Sequence, residues 1–301
     1  MNWSPGIGRR IEKPPNMRVM DDFLRAVGFV AELLSSDNGI DNFDHVATGV
    51  FVSIPIQEIP GKSFYYFVTA KHVIDNLNGR SFGFLVNKKM GGVEVLRPTI
   101  PNIWWRHPTD VHADVAVTMV TLDNSVDICS IGTDLFLGQN EDSIGIGDEV
   151  FTVGLFSYAP GRKRNMPIVR YGTIAMIPDE EIYVGSGFTS ATLIEARSIG
   201  GISGSPVFAR RTVDLELKPE SYMHGVGRHY FLGLVHGHWD IRESEMNKPA
   251  AYHDSVRGVN MGIAVVVPAF KVLETINCPY LVEFRRQATE KWLSATCPGQ
   301  D

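Results

Sequence analysis

Cysteine is scarce in this sequence. The three cysteines among 301 residues are Cys129, Cys278 and Cys297, and no two of them form a C-x-x-C pair. An odd number without such spacing fits neither a disulfide framework nor a zinc site. The scarcity favours a reducing compartment, and we expect a cytoplasmic protein.

Long apolar runs are missing as well. The longest, residues 261–270, contains Pro268 and falls well short of the roughly 20 residues that span a bilayer. The apolar stretch 23–34 is interrupted by Arg25 and Glu32 and lacks a small-residue cleavage pattern, so we expect no signal peptide. The sequence predicts no association with a membrane.

The sequence also has no excess of positive charge. Lysine and arginine number 28 against 34 acidic residues, which gives a net charge of −6, and the two signs are mixed along the chain. No basic field therefore exists to hold a phosphate backbone, and nucleic acid is excluded as an expected partner.

Turn residues and short apolar segments are abundant. Apolar residues make up 44% of the chain, and it contains 29 glycines and 17 prolines, a composition typical of a turn-rich globular protein. Segments rich in Val, Phe, Tyr and Thr recur between Gly, Asn, Asp and Pro. We therefore predict an all-β fold. The predicted strands form two sets, the first at 26–32, 47–54, 64–69, 82–86 and 114–121, and the second at 149–156, 168–176, 191–196, 206–209, 231–235 and 262–267.

These sets suggest the domain organisation. We predict an N-terminal arm over residues 1–22, a first β-barrel over 23–130, a second over 144–270 and a helical segment over 271–301. A 3.6-residue apolar period is clear only at 269–276 and 280–293, so helices are expected at that end of the chain. The polar inserts 210–230 and 240–260 are predicted surface loops.

The most informative segment surrounds Ser203. Glycines precede and follow this serine, and Pro206 then opens an apolar strand, which suits a backbone that turns sharply and aims two amides at one point. The amides of Gly201 and Ser203 are the candidates for an oxyanion hole. On this segment alone, an ordinary Gly-Ser turn remains an alternative.

A nucleophilic serine needs a base, and a carboxylate that orients the base. His72 follows a β-run and opens a short helical segment, while Asp114 stands immediately before an apolar strand. Taken singly, these residues could be a capping histidine and a turn aspartate. Taken together with Ser203, they predict a catalytic triad.

The order of the three residues and their contexts resemble the trypsin-like (chymotrypsin-fold) serine peptidases, in style most closely the bacterial HtrA-like and glutamyl-endopeptidase-like members. The resemblance covers about residues 25–275 and is specific only at the catalytic segments 69–72, 114–117 and 201–206. It implies two six-stranded antiparallel β-barrels, and the apolar period adds the helices at the C-terminal end. It also implies a serine endopeptidase that hydrolyses protein or peptide substrates without a cofactor or a metal.

A substrate pocket is also implied by the resemblance. The segment with Val235, His236 and Gly237 is similar to a strand that walls the pocket. Arg197, six residues before Ser203, corresponds to the pocket base, where a cation favours an acidic side chain; a solvated arginine is the alternative. Secreted relatives carry an acidic residue just before the nucleophile to bind a new N-terminal amine. This chain has Ile202 there, so we expect activity without N-terminal processing.

Three other interpretations compete with the peptidase. An α/β-hydrolase elbow requires a helix after the serine, with Asp and His later in the chain, whereas residues 206–208 continue as a predicted strand. A metal site could use His236 and His238, with His224 or His229 nearby. The third is a binding or regulatory module on a trypsin-like scaffold that is either non-catalytic or gated by a partner. Gating could act through residues 240–260 or through a partner bound to the C-terminal helices. No sequence feature identifies that partner.

Overall fold

The computed structural model describes residues 19–37, 40–138, 144–196, 201–211, 228–241 and 259–296. Strands dominate, and the two longest helices lie at the C-terminal end, so the all-β prediction with C-terminal helices is confirmed. The helices are α1 Asp21–Arg25, α2 Lys71–Asn76, α3 Ala269–Ile276 and α4 Pro279–Thr296, with a 3₁₀ turn at Thr133–Leu135. The strands are β1 Val27–Asp37, β2 Ile40–Pro55, β3 Ser63–Thr69, β4 Phe82–Asn87, β5 Val93–Leu96, β6 Trp105–Arg106, β7 Ala116–Met119, β8 Ile131–Gly132, β9 Glu149–Gly154, β10 Ile168–Met176, β11 Ile182–Tyr183, β12 Phe188–Thr189, β13 Thr192–Glu195, β14 Pro206–Arg210, β15 His229–Ile241 and β16 Val259–Pro268.

The first strand set forms an eight-stranded sheet. Its order is β5-β4-β1-β2-β3-β7-β6, and β8 pairs with β2 in parallel. The predicted closure of this set into a six-stranded barrel is not confirmed, because β5 and β6 stand at opposite ends of the order without pairing. Both strands are short, and neither contains a fully buried residue, so little apolar burial favours joining these edges.

The second strand set closes into a barrel of six strands, in the order β10-β13-β16-β15-β14-β9. The pairings are antiparallel throughout. Closure leaves no unpaired edge, which is one way in which β proteins avoid pairing with other chains. The prediction of a six-stranded barrel from this set is confirmed.

One apolar cluster joins the sheet, the barrel and the C-terminal helices. Val68 of β3, Phe151 of β9, Leu234 of β15 and Val272 of α3 are all almost fully buried in it. Because burial of apolar surface is the main stabilising force in folding, this cluster fixes the sheet against the barrel. The candidate site lies where these two units meet.

Several predictions fall on residues outside the description. They concern residues 1–18, most of the inserts 210–230 and 240–260, and Arg197. In the part of the chain that the structure does describe, no helix is both long and apolar enough to cross a bilayer. The domain limits remain predictions.

Candidate active site

Asp114 holds His72 at two points. The backbone N–H of His72 donates to Asp114 Oδ1 over 2.8 Å, and His72 Nδ1 lies 2.7 Å from Asp114 Oδ2. His72 is the second residue of α2, whose N-cap, Ala70, offers no side-chain hydrogen bond. Asp114 therefore accepts from the His72 amide, which has no partner within the helix, and it also accepts from the imidazole of the same residue.

This geometry fixes the tautomer of His72. An ionised carboxylate can only accept hydrogen bonds, so Nδ1 of His72 carries the proton and donates it to Asp114. Nε2 is then left with a free lone pair. The Asp114 side chain is only 4% exposed and that of His72 is 40% exposed, so the carboxylate is sequestered while the base remains accessible.

Asp114 stays ionised although it is buried. Burial alone raises the pKa of a carboxyl group, but the hydrogen bonds from His236 and His72 outweigh it and hold the pKa of Asp114 well below its ordinary value. The two imidazoles also favour the carboxylate through their charge when they are protonated. A permanent negative charge thus lies behind the candidate base.

His236 is the second histidine at this carboxylate. Its Nδ1 lies 2.9 Å from the same Oδ2 atom, and the centroids of the two imidazole rings are 5.7 Å apart. Sequence analysis assigned His236 to a pocket wall or, alternatively, to a metal site, and it missed this contact. The sequence carries no local signal for it, because Asp114 stands 122 residues earlier in the chain.

The Ser203 segment is a tight turn. The amide of Ser205 donates to the carbonyl of Ile202 over 2.9 Å, and the glycines Gly201 and Gly204 have φ values of 96° and 77°. A residue with a side chain adopts these angles only at a cost. The glycines on either side of Ser203 are therefore a conformational requirement of the turn.

Gly204 brings this turn against the segment that leads into α2. A Cβ atom at Gly204 would collide with the carbonyl of Thr48 and the hydroxyl of Thr69, and would lie 2.9 Å from the amide nitrogen of Ala70. Ala70 is two residues before His72, so the fold places Ser203, which is half-buried, beside the start of α2. Within the described residues, the Ser203 hydroxyl makes no hydrogen bond to either imidazole.

Thr48 of β2 ties the turn to both halves of the molecule. Its hydroxyl donates to the carbonyl of Gly201 over 3.0 Å and accepts from the amide of Leu155 over 2.9 Å. Its own amide donates to the carbonyl of Ser203 over 3.0 Å, and its carbonyl accepts from the Thr69 hydroxyl over 2.7 Å. Thr48 is fully buried, and sequence analysis gave it no role.

The amides of Gly201 and Ser203 make no hydrogen bond within the part of the chain that the structure describes. The Gly201 and Ser203 carbonyls are both held by Thr48. Fixed carbonyls with unoccupied amides are what a preorganised site for a developing oxyanion requires. The predicted oxyanion hole is compatible with this turn.

The pocket residues differ in their placement. Val235 is buried in the barrel, and its backbone exchanges hydrogen bonds with the turn: Gly204 donates to its carbonyl over 2.8 Å, and its amide donates to Ser205 over 2.9 Å. Gly237 is half-buried, and a Cβ atom there would meet nothing within 4 Å, so open space adjoins this part of β15. Arg197 lies outside the described residues.

The loop before Asp114 is anchored to α3 through His107. The amides of Asp110 and Thr109 donate to His107 Nδ1 over 2.9 and 3.3 Å, so the proton is on Nε2, which donates to Glu274 Oε2 over 2.6 Å. The imidazole is only 2% exposed. Glu274, 167 positions away in the chain, thus anchors the loop that leads to Asp114, just before β7.

Asp110 provides a second anchor for the same loop. Its Oδ2 accepts from Thr189 over 2.6 Å and pairs with Lys271 Nζ at 3.0 Å, while Oδ1 accepts the amides of His112 and Ala113. Burial raises the pKa of Asp110, but the bonds from Thr189 and Lys271 prevail and lower it to about 2. Sequence analysis did not find either anchor, because a loop polar residue gives no sign of a distant partner.

The proposed histidine metal site cannot be assembled from the described side chains. Residue 224 and the side chain of His238 lie outside them, and His229 packs edge-on against Phe23 and Phe151. Among the side chains that the structure describes, no group of three or more His, Cys, Asp or Glu is arranged to hold a metal ion.

Comparisons with other proteins show no family for this chain. No protein-family model matches the chain, and no curated protein sequence matches it. Among solved structures, the chain is similar to the MamO protease domain from Magnetospirillum magneticum in its apo form. The sequences are 15% identical, the TM-score is 0.48, and the match covers 84% of this chain and 96% of the other.

Proposed function

We propose that this protein is a serine endopeptidase in which Ser203 is the nucleophile, His72 the general base and Asp114 the residue that orients the base. The observation that carries the proposal is the double attachment of His72 to Asp114. This attachment occupies Nδ1 of His72, so the lone pair of Nε2 is the basic position that remains on the ring. The His72 side chain is accessible at the surface. The turn at Ser203 is packed against the start of the same helix.

The first half of the reaction follows from these positions. Nε2 of His72 takes the proton of the Ser203 hydroxyl as its oxygen attacks the carbonyl carbon of the scissile peptide bond. The carbonyl oxygen becomes an oxyanion, which the unoccupied amides of Gly201 and Ser203 stabilise. Asp114 stabilises the imidazolium that forms, and its buried negative charge is already in place before the reaction begins.

The second half returns the site to its starting state. The imidazolium of His72 gives its proton to the leaving amine, the peptide C–N bond breaks, and an acyl-enzyme ester remains on Ser203. A water molecule then attacks the ester with His72 again as base, which releases the carboxylic acid product and restores the serine. The missing hydrogen bond between Ser203 and His72 agrees with this scheme, since such bonds are often long or misaligned before substrate binds.

The test uses a serine-directed fluorophosphonate probe together with a peptide library. Ser203→Ala is expected to remove both labelling and cleavage, and the full-length protein should keep its circular dichroism spectrum. Ser205→Ala is the matched control, because Ser205 lies two residues away with a fully buried hydroxyl, and it should keep both activities. Labelling that persists in Ser203→Ala contradicts the proposal.

A partner-gated module is distinguished by the same experiment. In that case Ser203 reacts with the probe while no peptide is cleaved. A non-catalytic module gives neither labelling nor cleavage in the wild-type protein, although the chain is folded.

A further inference from the structure

Asp114 accepts hydrogen bonds from three directions. The His72 amide uses Oδ1, whereas Nδ1 of His72 and Nδ1 of His236 share Oδ2 at 2.7 and 2.9 Å. A carboxylate offers about four acceptor positions, so all three bonds can form together. Since the carboxylate is the only acceptor in each contact, His236 must carry its proton on Nδ1, as His72 does.

His236 lies at a β-bulge and points out of the barrel. In the pairing of β15 with β16, Val235 stands opposite Val266 and Gly237 opposite Val265, so His236 is the extra residue of β15 at this point. The Val235 side chain is buried in the barrel core, and the next side chain, that of His236, reaches the carboxylate of Asp114.

The same stretch of β15 also holds the Ser203 turn. Gly204 and Ser205 exchange hydrogen bonds with the backbone of Val235, directly before His236. The strand therefore contacts the nucleophile segment through its backbone and the base–carboxylate pair through the adjacent imidazole. A displacement of β15 at Val235 and His236 would therefore disturb the Ser203 segment and the base–carboxylate pair together.

We propose that His236 is a positioning residue that acts on the general base through Asp114. Its Nδ1–H fixes the Oδ2 atom that receives the proton of His72, so that the orientation of the base depends on the position of β15. The proposal rests on the proposed function for its catalytic meaning, but the shared carboxylate oxygen can be tested without any turnover.

The arrangement also affects how the site takes up protons. Among the described side chains, the titratable groups that face His236 are Asp114, before β7, and His72 of α2. At the bulge, the paired strands β14 and β16 present Pro206, Val265 and Val266, none of which titrates. A positive charge on His236 would repel a second positive charge on His72, since the two rings lie 5.7 Å apart.

Two substitutions separate the hydrogen bond from the charge. His236→Ala removes both, and we expect kcat to fall by about 10- to 100-fold, as for the loss of one hydrogen bond to a charged group, with KM nearly unchanged. His236→Asn places an uncharged N–H donor near the position of Nδ1, so it should recover most of kcat. In that variant the acidic limb of the pH–rate profile should move to higher pH, because the second positive charge can no longer form.

The matched control is His229→Asn, the same change seven residues earlier on β15, where the ring packs on Phe23 and Phe151. It should alter neither kcat nor the pH profile. If His236→Ala does not fold, the comparison of His236→Asn with wild type still decides the question. Equal kcat in wild type and His236→Ala, or an unmoved acidic limb in His236→Asn, overturns the proposal.

A second readout works even if no peptide is cleaved. NMR of ¹⁵N-labelled histidine follows the ring nitrogens of His72 and His236 through the pH range in which histidines titrate. We expect the titration of each ring to depend on the other in the wild-type protein, and this dependence should be absent for His72 in His236→Asn. That result supports the inference that both rings donate to Asp114 Oδ2. If His72 titrates identically in both proteins, the inference fails. If the His72 and His236 titrations are coupled while Ser203→Ala has no effect on any activity, the proposed function fails. The inferred contact of His236 with Asp114 is then still supported.

Discussion

The hydroxyl of Thr48 donates to the carbonyl of Gly201 over 3.0 Å, across 153 residues of sequence. The first residue belongs to the central strand β2 of the sheet, and the second opens the turn that carries Ser203. Because the same hydroxyl accepts from the amide of Leu155 at the end of β9, one buried oxygen connects the sheet, the barrel and the turn.

Thr48→Val is expected to weaken both the fold and the site. Valine has the same shape without the hydroxyl, so the Leu155 amide and the Gly201 carbonyl lose their partner, at a cost of about 1–3 kcal/mol. Turnover should fall more than KM rises, because the Gly201 peptide is no longer held. Urea unfolding and steady-state kinetics measure the two effects. Thr48→Ser, which keeps the hydroxyl, should stay close to wild type, and equal losses in both variants would exclude the hydrogen bond as the cause.

Asp114→Asn should lower turnover by orders of magnitude. The amide of asparagine offers one acceptor oxygen in place of two, and its N–H₂ group can hold the imidazole in the wrong tautomer, an effect on the order of 10⁴ in another triad enzyme. Kinetics on a cleaved library peptide provide the measurement. Asp75→Asn is the matched control on α2, since the ion pair of Asp75 with Arg106 is about half exposed; near-wild-type turnover in Asp114→Asn would remove Asp114 from the triad.

The Asp110–Lys271 pair should make stability depend on pH in a defined window. The pKa of Asp110 is lowered to about 2 from about 3.9 in an unfolded chain, so the unfolded state binds the proton more readily. The contribution of Asp110 to stability is therefore complete above about pH 4 and is lost as the pH falls towards 2.

Asp110→Asn tests this dependence. Near pH 7 it should lower the free energy of unfolding by about 2–4 kcal/mol, since one partner of a mostly buried pair is removed. The difference from wild type should shrink as the pH approaches 2. Urea unfolding at several pH values measures it, with the solvent-exposed Asp123 as the Asp→Asn control. A difference that is constant across the pH range would show that charge is not the source of the stabilisation.

Ser205→Ala should preserve or increase stability. The Ser205 hydroxyl is fully buried and has no hydrogen-bond partner among the described residues, and an unsatisfied buried polar group costs about 1–3 kcal/mol. We expect an increase of up to about 1 kcal/mol in the free energy of unfolding, measured in urea, with the labelling of Ser203 intact. A clear loss of stability would indicate that the hydroxyl has a partner such as a bound water.

Short-range patterns predicted most of the strands and both C-terminal helices. Segments such as β3 and β9 carry continuous apolar runs between turn residues, and these signals are local. The strands that were missed, β5, β6, β8, β11 and β12, are two to four residues long, too short for a period to show. Whether the first set closes depends on the pairing of its two edges, and no single segment encodes that.

In the candidate site too, the features with a local sequence pattern were predicted, and the long-range contacts were not. His72, Asp114 and Ser203 stand in recognisable local contexts, and the structure brings His72 and Asp114 into direct contact. The contact of His236 with Asp114 joins residues that are 122 positions apart, and no local pattern encodes such a contact. His107 appears as an ordinary loop histidine until Glu274 is placed beside it.

The two anchors on α3 bear on when the site can form during synthesis. The loop before Asp114 reaches its final position only when Glu274 is available to His107, 167 residues later in the chain. Domains generally fold as units while the ribosome adds residues, so the sheet can form early while Asp114 still lacks this support. We therefore expect completion of the site to be a late event, and a chain truncated before α3 would carry the three proposed catalytic residues without the anchor of the loop before Asp114.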